Sequence, residues 1–207
     1  CSTIVSVSIP DSVTSIGEAA FGACIGLRSI NIPDSVTNVG DCAFMYCSGL
    51  SSANIGDGVT SIGEWAFGYC YNLKSVSIPN SVTTIGTEAF GNCRGLTSIT
   101  IPNSVKTIEA SAFWGCEGLT NVFLPNSVET IEASAFGSCE NLKSIDVAKD
   151  NSHYCSENGV LFDISKKTLI QYPCGIKGKY VIPNSVTTIG EGAFMYSGIT
   201  DVTIPNN

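Results

Sequence analysis

Charge is scarce in this sequence. Only 14% of its 207 residues are Asp, Glu, Lys or Arg, against about 25% in an average globular domain. Eighteen carboxylates face ten cations, giving a net charge of −8 and an isoelectric point near 4.5. That balance argues against a nucleic-acid groove, which needs a basic face. Histidine occurs once, as His153, and there is no Gly-rich phosphate loop, H-x-x-x-H pair or C-x-x-C spacing. The common phosphate and metal motifs are therefore missing, and no cofactor or metal is expected. No apolar run nears the roughly 18 residues of a membrane span, so no membrane insertion of this segment is expected. The chain opens at Cys1 without a signal-peptide pattern. In place of charge stand Ser, Thr and Asn, 58 residues together, beside 43% hydrophobic residues. That hydrophobic share suffices for a sizeable core.

A single period organises these residues. An Ala-Phe pair recurs with Phe21, Phe44, Phe67, Phe90, Phe113 and Phe136, each 23 residues after the last. Cysteine keeps the same step from Cys1 through Cys24, Cys47, Cys70, Cys93 and Cys116 to Cys139. Pro10, Pro33, Pro79, Pro102 and Pro125 mark a corner at that spacing, with Gly56 in the remaining place. A fixed period without insertions makes every turn of the chain equivalent, which is the signature of a solenoid. Within one unit, residues 27–33 alternate inward aliphatics with outward polar groups and end at Pro33, so they read as a short parallel strand. Asp34-Ser35 reads as an Asx-type turn, and residues 36–40 as a second, very short strand stopped by Gly40. Residues 41–47 are too short for an ordinary α-helix and read as a turn or one helical turn. Coils then stack about 4.8 Å apart. The fold class is a β-rich solenoid of short parallel strands with turn or 3-10 segments and little α-helix.

The motif L-x-x-I-x-I-P-[DN]-S-V-x-x-I-G-x-x-A-F-x-x-C resembles the BspA-like class of leucine-rich repeat proteins, and it covers the whole chain except one insert. One departure is that Ser12, Ser35, Ser81, Ser104 and Ser127 stand where the general leucine-rich motif has Asn or Cys after the strand. The resemblance implies a curved, right-handed leucine-rich repeat coil from cell-surface or secreted proteins that bind a host or matrix protein or a glycan. It fixes shape more firmly than function.

The pattern breaks after Val147 and resumes at residues 181–183. The expected organisation is therefore regular repeats over 1–147, an enlarged repeat over 148–182, and a final, truncated repeat over 183–207. Residues 158–173 hold two apolar runs around a Ser-Lys-Lys turn, which predicts a β-hairpin. Lys149, Lys166, Lys167, Lys177 and Lys179 make this the one net-positive stretch. It reads either as a solvated protrusion or as a docking loop for an acidic partner. The ladder cysteines are expected to be free buried thiols acting as small hydrophobes. Cys155 and Cys174 flank the hairpin, and a bridge between them stays open.

No catalytic residue is expected. His153 and Cys155 lack a third group to orient them, and Glu129 and Glu132 read as solubilising charge in a turn. Three non-enzymatic functions compete: a surface or secreted module for protein or glycan binding, a structural spacer, and an intracellular interaction scaffold. Asn31, Asn54, Ser77, Thr100 and Phe123 are expected on one outward sheet face, either merely solvated or a hydrogen-bonding platform. Tyr46, Trp65, Tyr69, Tyr71 and Trp114 fall at or near the turn beside the Ala-Phe pair, at offsets that elsewhere carry Ala, Glu, Ser, Gly and Asn. They read either as shields of the turn backbone or as a binding spot. The chain begins in mid-coil and stops after Ile204-Pro205 without a polar cap, so continuation at both ends and end-to-end self-association are expected.

Overall fold

Alternation within each unit produces strands that face the core with every second residue. A computed structural model describes residues 3–205, so Cys1 lies outside the described residues. The strands are β1 Ser15–Ile16, β2 Ser29–Asn31, β3 Asn38–Val39, β4 Ser52–Asn54, β5 Ser61–Ile62 and β6 Ser75–Ser77. There follow β7 Thr84–Ile85, β8 Thr107–Ile108, β9 Asn121–Leu124, β10 Thr130–Ile131 and β11 Ser144–Val147. The last are β12 Tyr154–Glu157, β13 Val160–Asp163, β14 Thr168–Gln171, β15 Lys177–Val181, β16 Thr188–Ile189 and β17 Gly198–Thr203. Together they form a β-solenoid of about eight turns.

Parallel pairing advances by one period per coil. β1, β3, β5, β7, β8 and β10 form one sheet, with Ser61 opposite Thr84 and Thr107 opposite Thr130. The first strand of each unit builds a second face, as β2-β4-β6 and then β9-β11. Residues 96–101 keep the alternation between those two sheets but pair with neither. Phe21, Phe44, Phe67, Phe90, Phe113 and Phe136 stack down the interior with ring centroids 5.1–5.4 Å apart and planes within 9°.

The turn arm contains no helix among the described residues. Its backbone alternates instead. Ala43, Met45 and Cys47 donate to the carbonyl three residues back, while Cys42, Phe44 and Tyr46 donate to Glu64, Ala66 and Gly68 of the next coil. A helical turn would have directed its amides along its own axis rather than across to the neighbouring coil. The alternation needs a left-handed residue at each end of the arm, here Cys42 (φ 56°) and Tyr46 (φ 60°).

The thiol ladder does more than fill space. The Sγ of Cys47, Cys70, Cys93, Cys116 and Cys139 each donates to a phenylalanine carbonyl of the preceding coil at 3.1–3.3 Å. Each such carbonyl also accepts the amide of its own coil's cysteine, as with Cys116 N to Phe113 O at 3.2 Å. The small-hydrophobe expectation is corrected accordingly: the thiol occupies the carbonyl's second lone pair. Ser35, Ser81 and Ser104 form a comparable row, donating to Val13, Val59 and Val82.

The insert is a three-stranded meander. β13 and β14 pair antiparallel across the Ser-Lys-Lys turn, and β12 adds to β13 through Asn158 (φ 52°) and Gly159 (φ 79°). Both left-handed residues sit where a tight hairpin turn requires them. Val160, Leu161 and Phe162 are all buried, because β13 lies between the main core and a second cluster around Tyr172 and Ile182. Two side chains replace the missing coil. Asn151 donates to Pro125 O and Val128 O, and the Tyr154 hydroxyl accepts Ile131 N–H at 2.8 Å. Cys155 and Cys174 are free thiols, donating to Asp163 O and Met195 O respectively. Lys166 pairs with Glu157 at 2.6 Å, and the other four insert lysines are exposed.

Candidate functional site

Both left-handed positions of every arm stack into rows along the solenoid. One row runs Ala19, Cys42, Trp65, Glu88, Ser111, Ser134 and Gly192; the other runs Ala23, Tyr46, Tyr69, Asn92, Gly115, Ser138 and Tyr196. Stacking brings Tyr46 and Tyr69 to 4.5 Å between centroids, with planes 9° apart. Trp65 lies parallel to Tyr69 at 5.4 Å, and Tyr71 meets Tyr69 edge-on at 5.9 Å. Further along, Trp114 meets Tyr196 edge-to-face at 6.0 Å.

Between the two aromatic groups the row carries small residues, and a cleft of about 470 Å³ results. Trp65 and Tyr69 stand at one side, Trp114 and Met195 at the other, with Glu88, Ser111, Ser134, Glu191 and Gly192 completing it. A neighbouring cleft of about 300 Å³ joins Tyr46 to Trp65 and Tyr69. Burial, and then the charge of Glu64, pushes the Glu88 carboxyl upward. Burial also raises the Tyr69 phenol, with Tyr46, Glu88 and Tyr71 adding to it. Beside the patch, the Arg94 guanidinium sits 5.3 Å over the Tyr71 ring while pairing with Glu117 at 3.2 Å.

The structure thus gathers Tyr46, Trp65, Tyr69, Tyr71 and Trp114 at one edge of the coil. The sheet-face residues lie elsewhere. Asn54 Nδ2 donates to Asn31 Oδ1 at 2.7 Å, and both line a polar cleft of about 390 Å³ with Asp11 and Asp34. Ser77 and Thr100 are exposed further along, as is Phe123 at 56%. No group of His, Cys, Asp or Glu among the described residues could hold a metal ion. No described helix is long and apolar enough to cross a membrane.

Sequence reasoning missed Glu88, Glu191, Met195 and Tyr196. The signal was available: carrying the period across the insert places residue 192 at the offset of Trp65 and Tyr196 at that of Tyr69.

The family model described as BspA type leucine-rich repeat region matches in six copies, over residues 1–117, 65–169 and 164–207. Among solved structures, a leucine-rich cell surface protein from Faecalibacterium prausnitzii is 30% identical with a TM-score of 0.67, covering 92% of this chain and 64% of that one. A leucine-rich repeat protein from Bacteroides ovatus is 29% identical with a TM-score of 0.66, covering 93% and 64%. One from Eubacterium ventriosum is 28% identical with a TM-score of 0.60, covering 75% and 50%. The chain therefore spans half to two thirds of the length of these relatives. No curated protein matches it.

Proposed function

We propose, on the premise that this chain belongs to the BspA-type leucine-rich repeat family, that it is a non-enzymatic interaction module. It acts at the cell surface or in secreted form and binds a host or matrix protein or a glycan through the aromatic cleft of the turn edge. One observation carries the reading. Trp65, Tyr69 and Trp114 occupy positions that packing leaves open, and together they line a cleft of about 470 Å³. Large rings that are neither core nor required by the turn are what binding hot spots use. The surface assignment is supported by the Faecalibacterium neighbour, itself described as a cell surface protein.

The test is a screen of immobilised matrix proteins and oligosaccharides against the chain and its Trp65→Ala and Trp114→Ala variants. Binding that drops at least tenfold in either variant, with the melting temperature nearly unchanged, supports the reading. Binding indifferent to both variants moves the site elsewhere, and no binding at all favours a spacer.

A further inference from the structure

We propose that the aromatic cleft takes cationic side chains, arginine above all, from an extended basic segment of a protein partner. This rests on the cleft being a ligand site and adds the chemistry of the ligand. Charge distribution is the first argument. The seven turn arms (residues 17–24, 40–47, 63–70, 86–93, 109–116, 132–139 and 190–197) hold seven of the eighteen carboxylates and none of the ten cations. This one edge therefore carries −7 of the net −8, and the rest of the chain is nearly balanced.

Three of those carboxylates are occupied. Asp41 accepts Glu64 N–H, Glu109 accepts Thr87 N–H and its hydroxyl, and Glu132 accepts Ala110 N–H. Glu64, Glu88 and Glu191 enter none of the ion pairs among the described residues. Two of them, Glu88 and Glu191, line the cleft with the ring systems of Trp65 and Trp114. A neutral sugar would stack on the rings but leave these charges uncompensated. A guanidinium would meet both features: it is weakly hydrated, stacks on aromatic faces and pairs with carboxylates in a planar fork. The molecule already uses that combination at the rim of the same patch, where Arg94 covers Tyr71 and pairs with Glu117. The elevated Glu88 carboxyl is consistent, since an incoming cation offsets both its burial and the charge of Glu64.

Spacing gives the segment its form. The coil of residues 169–175 lies between the arms of Ser134 and Gly192, but it is short there and Gly192 reaches the Ser134 side chain across it. Glu88 and Glu191 therefore lie about three strand spacings apart along the edge, roughly 14 Å. An extended chain covers roughly that distance in four residues. Two arginines at i and i+4 of an extended segment would then reach the two carboxylates.

Both tryptophans of the chain line the cleft, so intrinsic fluorescence reports its occupancy. The probe is a capped Gly-Arg-Gly-Ser-Gly-Arg-Gly peptide, compared with the same peptide carrying citrulline and with a neutral oligosaccharide. The expected result is a saturable change with the arginine peptide, at least tenfold weaker with citrulline and weakening as salt is added. The Glu88→Gln/Glu191→Gln variant should lose at least tenfold, while Glu18→Gln, on the same edge but outside the cleft, stays within twofold. Equal binding of the citrulline peptide, or an equal loss in Glu18→Gln, overturns the proposal. So does the absence of saturation at millimolar peptide. Saturable oligosaccharide binding that needs Trp65 but not the two carboxylates also overturns it, while leaving the cleft as the ligand site.

Discussion

Replacing Tyr154 with Phe removes one oxygen and no packing volume, and that oxygen holds the insert to the regular coils. The hydroxyl accepts Ile131 N–H at 2.8 Å and donates to Glu129 O at 3.3 Å. In every earlier coil the equivalent amide is satisfied by the neighbouring strand; here a side chain supplies the acceptor. An amide donor left without a partner costs about 1–3 kcal/mol when buried. Ile131 is only half-buried, so the lower part of that range applies, about 1–2 kcal/mol. Urea denaturation of the variant against the parent measures the total. Hydrogen exchange locates it: the Ile131 amide should lose protection, while Thr130 and Glu132, bonded to Lys106 O and Ile108 O of the preceding coil, should keep theirs. A stability change under about 0.3 kcal/mol, the scatter expected of independent sites, together with unchanged Ile131 exchange, would refute the role given to the hydroxyl.

The left-handed rows make a prediction of unusual sign: Ser134→Gly should stabilise by about 0.5–1 kcal/mol, since relief of the left-handed backbone outweighs the entropy glycine adds to the unfolded chain. Gly115→Ala should do the reverse, because a Cβ there would lie 2.9 Å from Asn92 Oδ1; thermal melts of both variants check the pair, and a less stable Ser134→Gly would sink the argument. Burial raises the ladder thiols Cys47 to about 11 and Cys116 to about 12 from an ordinary 9.0, and it pushes Cys70, Cys93 and Cys139 up as well. A folded pKa above the unfolded one leaves this contribution intact below pH 9 and removes it as pH rises through about 12, so the melting temperature should fall from pH 9 upward. Just below pH 9, an aromatic disulfide reagent should label the partly exposed Cys42 and Cys155 first, and fast labelling of native Cys116 would contradict the burial.

Stacking, pairing direction and the inward phase of each strand were legible because a 23-residue period leaves the chain one way to bury Leu27, Ile30 and Phe44 in every coil. The arm was harder. Residues 41–47 carry no apolar period of either kind, and what decides their shape is which amides reach the next coil, a relation that appears only once coils are adjacent. The same holds for the thiols: Cys116 reads as a small hydrophobe until the Phe90 carbonyl of the coil before is placed beside it. In the insert, the Ser-Lys-Lys turn was readable, but β12 was missed although Asn158-Gly159 is the dipeptide that two adjoining left-handed residues favour. At the cleft, the five aromatics were visible as exceptions to their offsets. Glu191, Met195 and Tyr196 were hidden because the insert adds 12 residues to two periods and obscures the register.

The offsets that carry the cleft have a signature of their own. Across the fourteen left-handed positions of the two rows stand Ala, Cys, Trp, Tyr, Glu, Ser, Asn and Gly, but never Val, Ile or Thr, in a chain with 17 threonines. β-branched residues are excluded there because their Cβ substituents clash in the left-handed region. Every other non-glycine side chain meets a similar backbone cost, about 1–2 kcal/mol, so the backbone does not choose among Ala, Ser, Glu and Trp. Packing does not choose at Trp65 or Tyr69 either, since the buried positions of that arm are the neighbouring Ala66, Phe67 and Cys70, whereas Asn92 and Gly115 of the second row are buried against each other. Apart from that pair, the two rows are released from both constraints that fix the rest of the coil. The solenoid holds them in register at the strand spacing, while the side chains outside that buried pair vary with little cost to the stack. A rigid row of independently variable side chains is a display surface, and in this chain it presents indole and phenol rings around carboxylates.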